Sequence, residues 1–395
     1  ICEAIDQTRG WFYTLMTIGT LVFDKSSYKT VLCLGHILDK DGRKMSKHLG
    51  NVLEPIPLMN QHGADAVRWY MLAAGSPWSA RRVGHDAISD VVRKTLLTYW
   101  NTISFFTLYA NAADFKVTTL SKDLTLMDRW ILSELNKLIE GVDTALEAFD
   151  SQSAGALLAA FIDDLSNWYV RRSRRRFWDG DPVALNTLYF CLKNLTLLLA
   201  PMVPFISEHV WQKLVKSCEV DQIESVHLAN FPKFDKGMID EKLSTSVALS
   251  RRLVELGRAA RAESAVKIRQ PLSRALISAP GWDQISEEIK SHIADELNIL
   301  ALDGIHAAGA DLVDISVKAN FRTLGTKFGA NVHEIAKQIS ATDATLMVKD
   351  LRKNKTFKLK VEINGKSKDI EIEIEDLIIT ETPRTGWSVA SHAGE

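Results

Sequence analysis

The segment Lys44-Met45-Ser46-Lys47-His48 carries the sharpest chemistry in the chain. Two lysines three apart flank a serine, in a polar loop that begins at Asp39 and follows the apolar run Thr30–Leu38. Such a run suits a buried parallel strand, and open parallel sheets bind ligands at the carboxyl ends of their strands. Two ammonium groups there can neutralise a polyphosphate as charge builds on a leaving pyrophosphate, with Ser46 donating a further hydrogen bond. His36, inside the strand run, lies close to this nucleotide site. The alternative is a solvated basic loop, which many short lysine-rich stretches are.

Glu3, Asp6 and Gln7 stand at i, i+3 and i+4, with Trp11 four further on. On a helix these share one face, where two carboxylates, an amide and an indole could hold an ammonium group and a ribose and wall an apolar pocket. The alternative is a helix start with acids favoured by the macrodipole. In the run Trp168-Tyr169-Val170-Arg171-Arg172-Ser173-Arg174-Arg175-Arg176-Phe177-Trp178, arginines beside aromatics suit phosphate contact and base stacking. Arg171, Arg174 and Arg175 are the candidate contacts. Equally, the aromatics could be core and the arginines could pair with Asp163, Asp164 and Asp179. His85, His209 and His227 are scattered without metal-ligand spacing.

Three regions must position these groups. Residues 1–84 read as α/β, with a buried helix over Ile5–Val22, the strand Thr30–Leu38, the lysine loop, and a helix from Gly63 to Leu72 ended by Gly75-Ser76-Pro77. Residues 85–235 read as a helical bundle. Val92, Leu96, Tyr99, Ile103, Phe106 and Ala110 form one apolar face. Ile131, Leu135, Leu138, Val142, Ala145 and Phe149 form another, and Leu158, Ile162, Leu165 and Tyr169 a third. Leu185–Leu199 is the most apolar and should be the most buried, with Pro201 and Pro204 breaking it.

Residues 236–395 read as an incomplete α+β region: a helix near 240–263, a strand near 275–278, a helix near 284–297 and a strand near 299–305. A hairpin then turns at Asn364-Gly365. A two-residue loop there sets Ile363 opposite Lys366, Leu359 opposite Ile370 and Phe357 opposite Ile372, with Lys360 meeting Asp369 and Lys358 meeting Glu371. Gly386-Trp387-Ser388-Val389-Ala390 looks like the opening of a strand.

The chain has 395 residues, two to three domains' worth. With 48 Lys+Arg against 49 Asp+Glu, bulk charge does not recruit nucleic acid, so only a local patch could. No run of about 18 consecutive apolar residues suggests a membrane span. Cys2, Cys33, Cys191 and Cys218 form no CxxC pair, which argues against a zinc ribbon or disulfide framework and fits a reducing cytoplasm.

Taken together, these residues resemble the isoleucyl-tRNA synthetases. Glu3-Ala4-Ile5-Asp6-Gln7-Thr8-Arg9-Gly10-Trp11-Phe12 is similar to the family's adenylate-pocket segment, and Lys44-Met45-Ser46-Lys47-His48 to the class I signature KMSKS. Asn51-Val52, Gly63-Ala64-Asp65-Ala66-Val67-Arg68, Ser166-Asn167-Trp168-Tyr169-Val170-Arg171 and Ala200-Pro201-Met202-Val203-Pro204-Phe205 follow in the family's order. So do Ile268-Arg269-Gln270-Pro271-Leu272, Asp295-Glu296-Leu297-Asn298 and Asn320-Phe321-Arg322-Thr323-Leu324-Gly325. His48 stands in place of the signature's last serine, and Ala4 where other members have glycine.

The resemblance implies the later part of a Rossmann-like catalytic domain (1–84), an all-α anticodon-binding bundle (85–235) and an α+β carboxy-terminal region (236–395). It implies that Glu3, Asp6 and Gln7 hold the adenylate and substrate ammonium, and that Trp11 walls the isoleucine pocket. Lys44, Met45, Ser46, Lys47 and His36 would meet ATP, the two lysines acting catalytically. ATP with Mg2+, L-isoleucine and tRNA(Ile) are the implied substrates. The implied parent is a cytoplasmic monomer, and no zinc is expected in this chain. Neither the HIGH signature nor an editing insertion occurs here, so a fragment that is inactive alone is expected. The alternatives are a non-catalytic tRNA-binding module descended from a synthetase, and a valyl or leucyl relative.

Overall fold

In the computed structural model, which describes residues 1–219, 223–305, 313–363, 366–383 and 387–391, the α/β segment is built from two short parallel pairs. Cys2–Ala4 (β1) lies beside Leu32–Leu34 (β2), with Ala4 opposite Leu34. Between them run a 3₁₀ turn, Ile5–Arg9, and Trp11–Phe23 (α1). The apolar run Thr30–Leu38 is therefore not one strand. It breaks at Gly35, where the backbone N–H donates to the Pro77 carbonyl (2.9 Å). A Cβ on Gly35 would lie 2.2 Å from the Ser79 carbonyl oxygen, so the crossing chain admits only glycine. After the break, Ile37–Leu38 (β3) leads into the lysine loop. Pro55–His62 (α2) and Ala64–Ala73 (α3) follow, then Arg81–Arg82 (β4), the parallel partner of β3.

The Ile5–Val22 expectation needs correction. The segment is a 3₁₀ turn and then a helix, and only Phe12 and Gly19 of α1 are buried. Tyr13, Ile18, Leu21, Val22 and Phe23 are exposed. The helix is apolar nearly all round, so the described residues cover one side of it and leave the rest in water.

The bundle begins with His85–Val91 (α4), which passes through a π-helical turn, Val92–Leu96, into Leu97–Ala112 (α5). Leu126–Glu147 (α6) starts at a capping box: Asp128 N–H donates to Thr125 Oγ1 and Thr125 N–H to Asp128 Oδ2. Ser151–Asp163 (α7) continues through a π-helical stretch, Asp164–Val170, towards Arg174–Trp178 (α8). Pro182–Leu199 (α9) follows, with Asp181 as N-cap and proline at its first position. Pro204–Val210 (α10) passes through a third π-helical turn, Trp211–Val215, into Lys216–Cys218 (α11).

The expected apolar faces are buried, with two differences: Val92 is half-buried, and Phe149 lies beyond the end of α6 and is exposed. Among the described residues α9 alone has the length and apolarity to cross a membrane, but 67% of it is buried inside the fold. It is the central core helix. Its polar Thr196 hydroxyl is satisfied by Tyr99 Oη at 2.7 Å.

Residues 1–244 form one compact unit and 245–395 a second. Glu241–Glu263 (α12) runs from the first into the second. There Ala275–Ile277 (β5), Glu287–Leu297 (α13) and Leu302–Gly304 (β6) make a βαβ unit with parallel strands. Buried Arg261 donates to the carbonyls of Lys267 (3.1 Å), Gln270 (2.9 Å), Leu297 (2.6 Å) and Asn298 (3.1 Å). One guanidinium thereby gathers α12, the following loop and the end of α13.

Val313–Ala319 (β7), Phe321–Phe328 (α14), Val332–Ala341 (α15), Ala344–Asn354 (α16), Thr356–Ile363 (β8), Lys366–Glu373 (β9) and Leu377–Pro383 (β10) complete the unit. β7 and β10 pair antiparallel. β8 and β9 pair in the expected register, with Phe357 opposite Ile372, Leu359 opposite Ile370, Lys358 opposite Glu371 and Lys360 opposite Asp369. Leu359, Ile370 and Ile372 are buried while Lys358, Lys360 and Glu371 are exposed. The Asn364-Gly365 turn lies outside the described residues. Residues 387–391 form no strand, contrary to expectation.

The α3–α7 crossing sets a test. A Cβ on Gly155 would lie 2.2 Å from the Ala73 Cβ. Gly155→Ala gains about 1 kcal/mol of helix propensity, but overpacking a tight contact costs about 1–3 kcal/mol. We expect net destabilisation, seen as a lower urea midpoint at unchanged slope. A raised midpoint would show that α3 can move away from α7 freely.

Candidate functional site

The lysine loop is shaped by one buried carboxylate. Asp39, 5% exposed, accepts at Oδ1 from the N–H groups of Asp41 (3.0 Å) and Arg43 (2.7 Å). Its Oδ2 accepts from Arg43 Nε (3.0 Å) and Asn51 Nδ2 (2.8 Å). The Asn51 hydrogen bond, then that of the Arg43 backbone, hold the Asp39 pKa down to about 2. Asn51 closes the loop from its far end. Its amide also donates to the Lys44 carbonyl (3.3 Å), and its Oδ1 accepts from Ser46 N–H (2.9 Å).

Ser46 caps a short 3₁₀ turn, Lys47–Leu49, accepting from Leu49 N–H. That leaves its hydroxyl proton free to donate. Lys44 and Lys47 are exposed and form no ion pair among the described residues, so both ammonium groups face solvent as an anion clamp would require. Met45 is half-buried beside them.

Glu3, Asp6, Gln7 and Trp11 do not share a helix face. Glu3 is in β1, Asp6 and Gln7 are in the 3₁₀ turn, and Trp11 opens α1. What joins them is topology: β1 and β2 end side by side, so the turn holding Asp6 and Gln7 and the break holding exposed His36 leave the same sheet edge. Gln7 Oε1 accepts from Trp11 N–H (3.0 Å), tying the turn to the helix, and the Trp11 ring is half in solvent.

In the arginine run, the aromatics divide. Trp168, Tyr169 and Phe177 are buried and Trp178 is exposed. Arg176 is fixed by one distant acid and one nearby acid. Arg176 reaches Asp128 (2.9 Å), on α6, and Asp181 (2.7 Å), at the start of α9. Tyr169 Oη donates to the same Asp128 at 2.7 Å. Burial opposes ionisation of Asp128, yet the hydrogen bonds from Arg176 and Tyr169 hold its pKa below the ordinary range. Arg171 and Arg172 have partners within the chain. Arg174 and Arg175 are exposed and unpaired among the described residues.

One helix fastens the α/β segment to the bundle. On α3, Asp65 accepts from the N–H groups of Phe205 (3.3 Å) and Ile206 (2.7 Å) at the start of α10. One turn on, Arg68 donates to the carbonyls of Pro201 (2.9 Å) and Met202 (3.1 Å) after α9.

The model described as "Anticodon-binding domain of tRNA ligase" matches residues 128–276. That described as "tRNA synthetases class I (I, L, M and V)" matches residues 1–82. The isoleucine-tRNA ligase of Streptomyces coelicolor is 57% identical over 397 residues, covering all of this chain and 37% of that protein. That of Thermobifida fusca is 55% identical over 406 residues, covering all of this chain and 38% of that protein. That of Clostridium novyi is 38% identical over 404 residues, with the same coverage.

This chain belongs to the isoleucine-tRNA ligase family. It spans about 37% of the length of the curated relatives it matches first. Within the isoleucine-tRNA ligase frame, residues 1–82 are the tail of the class I catalytic domain, followed by the helical anticodon-binding domain and a mixed carboxy-terminal region. Neither a valyl nor a leucyl assignment is needed.

Asp39, Asp128 and Arg176 position the candidate groups, and the sequence alone does not single them out. The available signal for Asp39 was Asp39-Lys40-Asp41-Gly42, an aspartate ahead of a glycine turn, where side chains bond local N–H groups. Removing its partner is a direct test. In Asn51→Ala, the Asp39 pKa should rise from about 2 towards the ordinary 3.9 or so, read from the carboxyl carbon shift in an NMR titration. A depressed carboxylate stabilises above the unfolded pKa and loses that contribution as pH falls towards 2. The variant should therefore show a weaker fall in loop protection between about pH 4 and 2. An unmoved Asp39 titration would mean Asn51 does not organise the loop.

Proposed function

We propose that this chain is the lysine-loop and anticodon-binding part of an enzyme that activates L-isoleucine with ATP and transfers it to tRNA(Ile). The observation that carries the reading is the pair Lys44 and Lys47, without an ion pair among the described residues, on a loop pinned by Asp39 and Asn51, in a chain whose likeness to isoleucine-tRNA ligases runs its full length. In activation, an isoleucine carboxylate oxygen attacks the α-phosphorus, and the bond to the β-phosphate oxygen breaks to release pyrophosphate. Lys44 and Lys47 neutralise charge gathering on that leaving group, with Ser46 donating beside them. Met45 and His36 flank the nucleotide, and ATP enters with Mg2+.

Glu3, Asp6 and Gln7 hold the ammonium and ribose of the adenylate, and Trp11 walls the side-chain pocket. Arg171, Arg174 and Arg175 meet tRNA phosphates. Residues 1–84, 85–235 and 236–395 are the corresponding functional regions. Four free cysteines fit work in the reducing cytoplasm.

In the full-length ligase, Lys47→Ala should reduce isoleucine-dependent ATP–pyrophosphate exchange far more than it weakens isoleucine binding, because the lysine acts on the transition state. Equal losses in both would remove it from the chemistry. With residues 1–395 alone, Arg174→Ala/Arg175→Ala should weaken binding of tRNA(Ile) and flatten its salt dependence by about two phosphate contacts. Unchanged affinity and slope would make the arginines structural.

A further inference from the structure

We infer that Trp178 is a stacking platform for an unpaired base of the RNA whose phosphates Arg174 and Arg175 hold. This rests on the reading of the arginine run as an RNA-facing surface. The run contains four aromatic rings in reach of α8. Three are consumed by the core: Trp168, Tyr169 and Phe177. Trp178 is 61% exposed and makes no ring contact or hydrogen bond among the described residues.

Its neighbours on the helix surface are the two unpaired arginines, because positions three and four apart share a face. Arg174 is four residues before it and Arg175 three. The mount is rigid. Phe177 is buried beside it, and Arg176, between the two flanking positions, is fastened to Asp128 and Asp181. An indole held in place loses little freedom on stacking.

Charge selects the partner. Arg174 and Arg175 are exposed and form no ion pair among the described residues, and Asp181, the nearby acid at the start of α9, is already bonded to Arg176. Guanidinium groups with a free indole between helix turns fit a backbone phosphate plus the face of its base. The base must be unpaired, since bases inside an A-form helix present no free face, whereas loop bases splay out and stack on aromatics.

The test uses residues 1–395 and a fluorescently labelled tRNA(Ile) transcript, with affinity measured over a salt series. Trp178→Ala and Trp178→Leu should each weaken binding about 5- to 100-fold, while Trp178→Phe keeps most of the affinity, because the π-face and not the bulk is used. The salt slope should stay at its wild-type value in all three, since no phosphate contact is lost. Wild-type affinity for Trp178→Ala, or for Trp178→Leu, overturns the stacking role. If that occurs while Arg174→Ala/Arg175→Ala still weakens binding, the RNA-facing surface survives without its platform. If the arginine variant is also silent, the surface itself falls.

Discussion

The grip of α3 on the turn between α9 and α10 is the contact on which the first unit depends. A helix end leaves carbonyls without partners, and a helix start leaves N–H groups without partners. Both occur within a few residues here, because Pro201 and Pro204 stop one helix and start the next. Arg68 supplies donors to the Pro201 and Met202 carbonyls of the turn that follows α9, and Asp65 supplies a carboxylate to the first N–H groups of α10. The Asp65 charge also has the sign that the start of α10 favours. α3 is itself held at its far end by Arg81, which donates to the carbonyls of Tyr70, Met71 and Gly75. Gly155 lets α7 approach it to backbone distance. The lysine-loop segment and the helical bundle are therefore joined by packing and by charge-assisted hydrogen bonds, so the loop is not tethered to the bundle by a mere linker.

Several strings that marked the family turn out to be fastenings of this kind. The Gly63–Arg68 string and the Ala200–Phe205 string are the two halves of one clamp. In the second unit, Asn298 donates to the carbonyls of Ile268 and Arg269, joining two more of the strings. Asn320 caps α14 and donates to the Glu375 carbonyl. The lysine loop differs from these fastenings, since the ammonium groups of Lys44 and Lys47 are exposed and form no ion pair among the described residues.

What could be read in the sequence was local. The helical faces of α5, α6 and α7 follow from spacing, because burial on one side imposes a period near 3.6. The β8–β9 register follows from alternation, since a one-residue slip would send Leu359 and Ile370 into water. What could not be read depends on distant partners. Gly35 breaks a strand because Ser79 crosses it. Glu3, Asp6 and Gln7 looked like one helix face because spacing cannot distinguish an α-helix from a strand followed by a 3₁₀ turn. Nothing in the arginine run itself marks that Arg176 also reaches Asp128, 48 positions away.

The Asp128 network explains why a charged group should be buried in a bundle that could have used a leucine. Taking a carboxylate and a guanidinium from water is expensive, and their attraction alone seldom offsets it. Here the carboxylate is almost fully spoken for: Oδ1 accepts from Arg176 and Tyr169, and Oδ2 from the backbone and hydroxyl of Thr125. An apolar replacement could match the stability but would leave α8, a five-residue helix, held by the packing of Phe177 without directional bonds. The Arg176 hydrogen bonds supply those directions. Arg176 thus sets which way Arg174, Arg175 and Trp178 face, although its own charge is spent inside the fold.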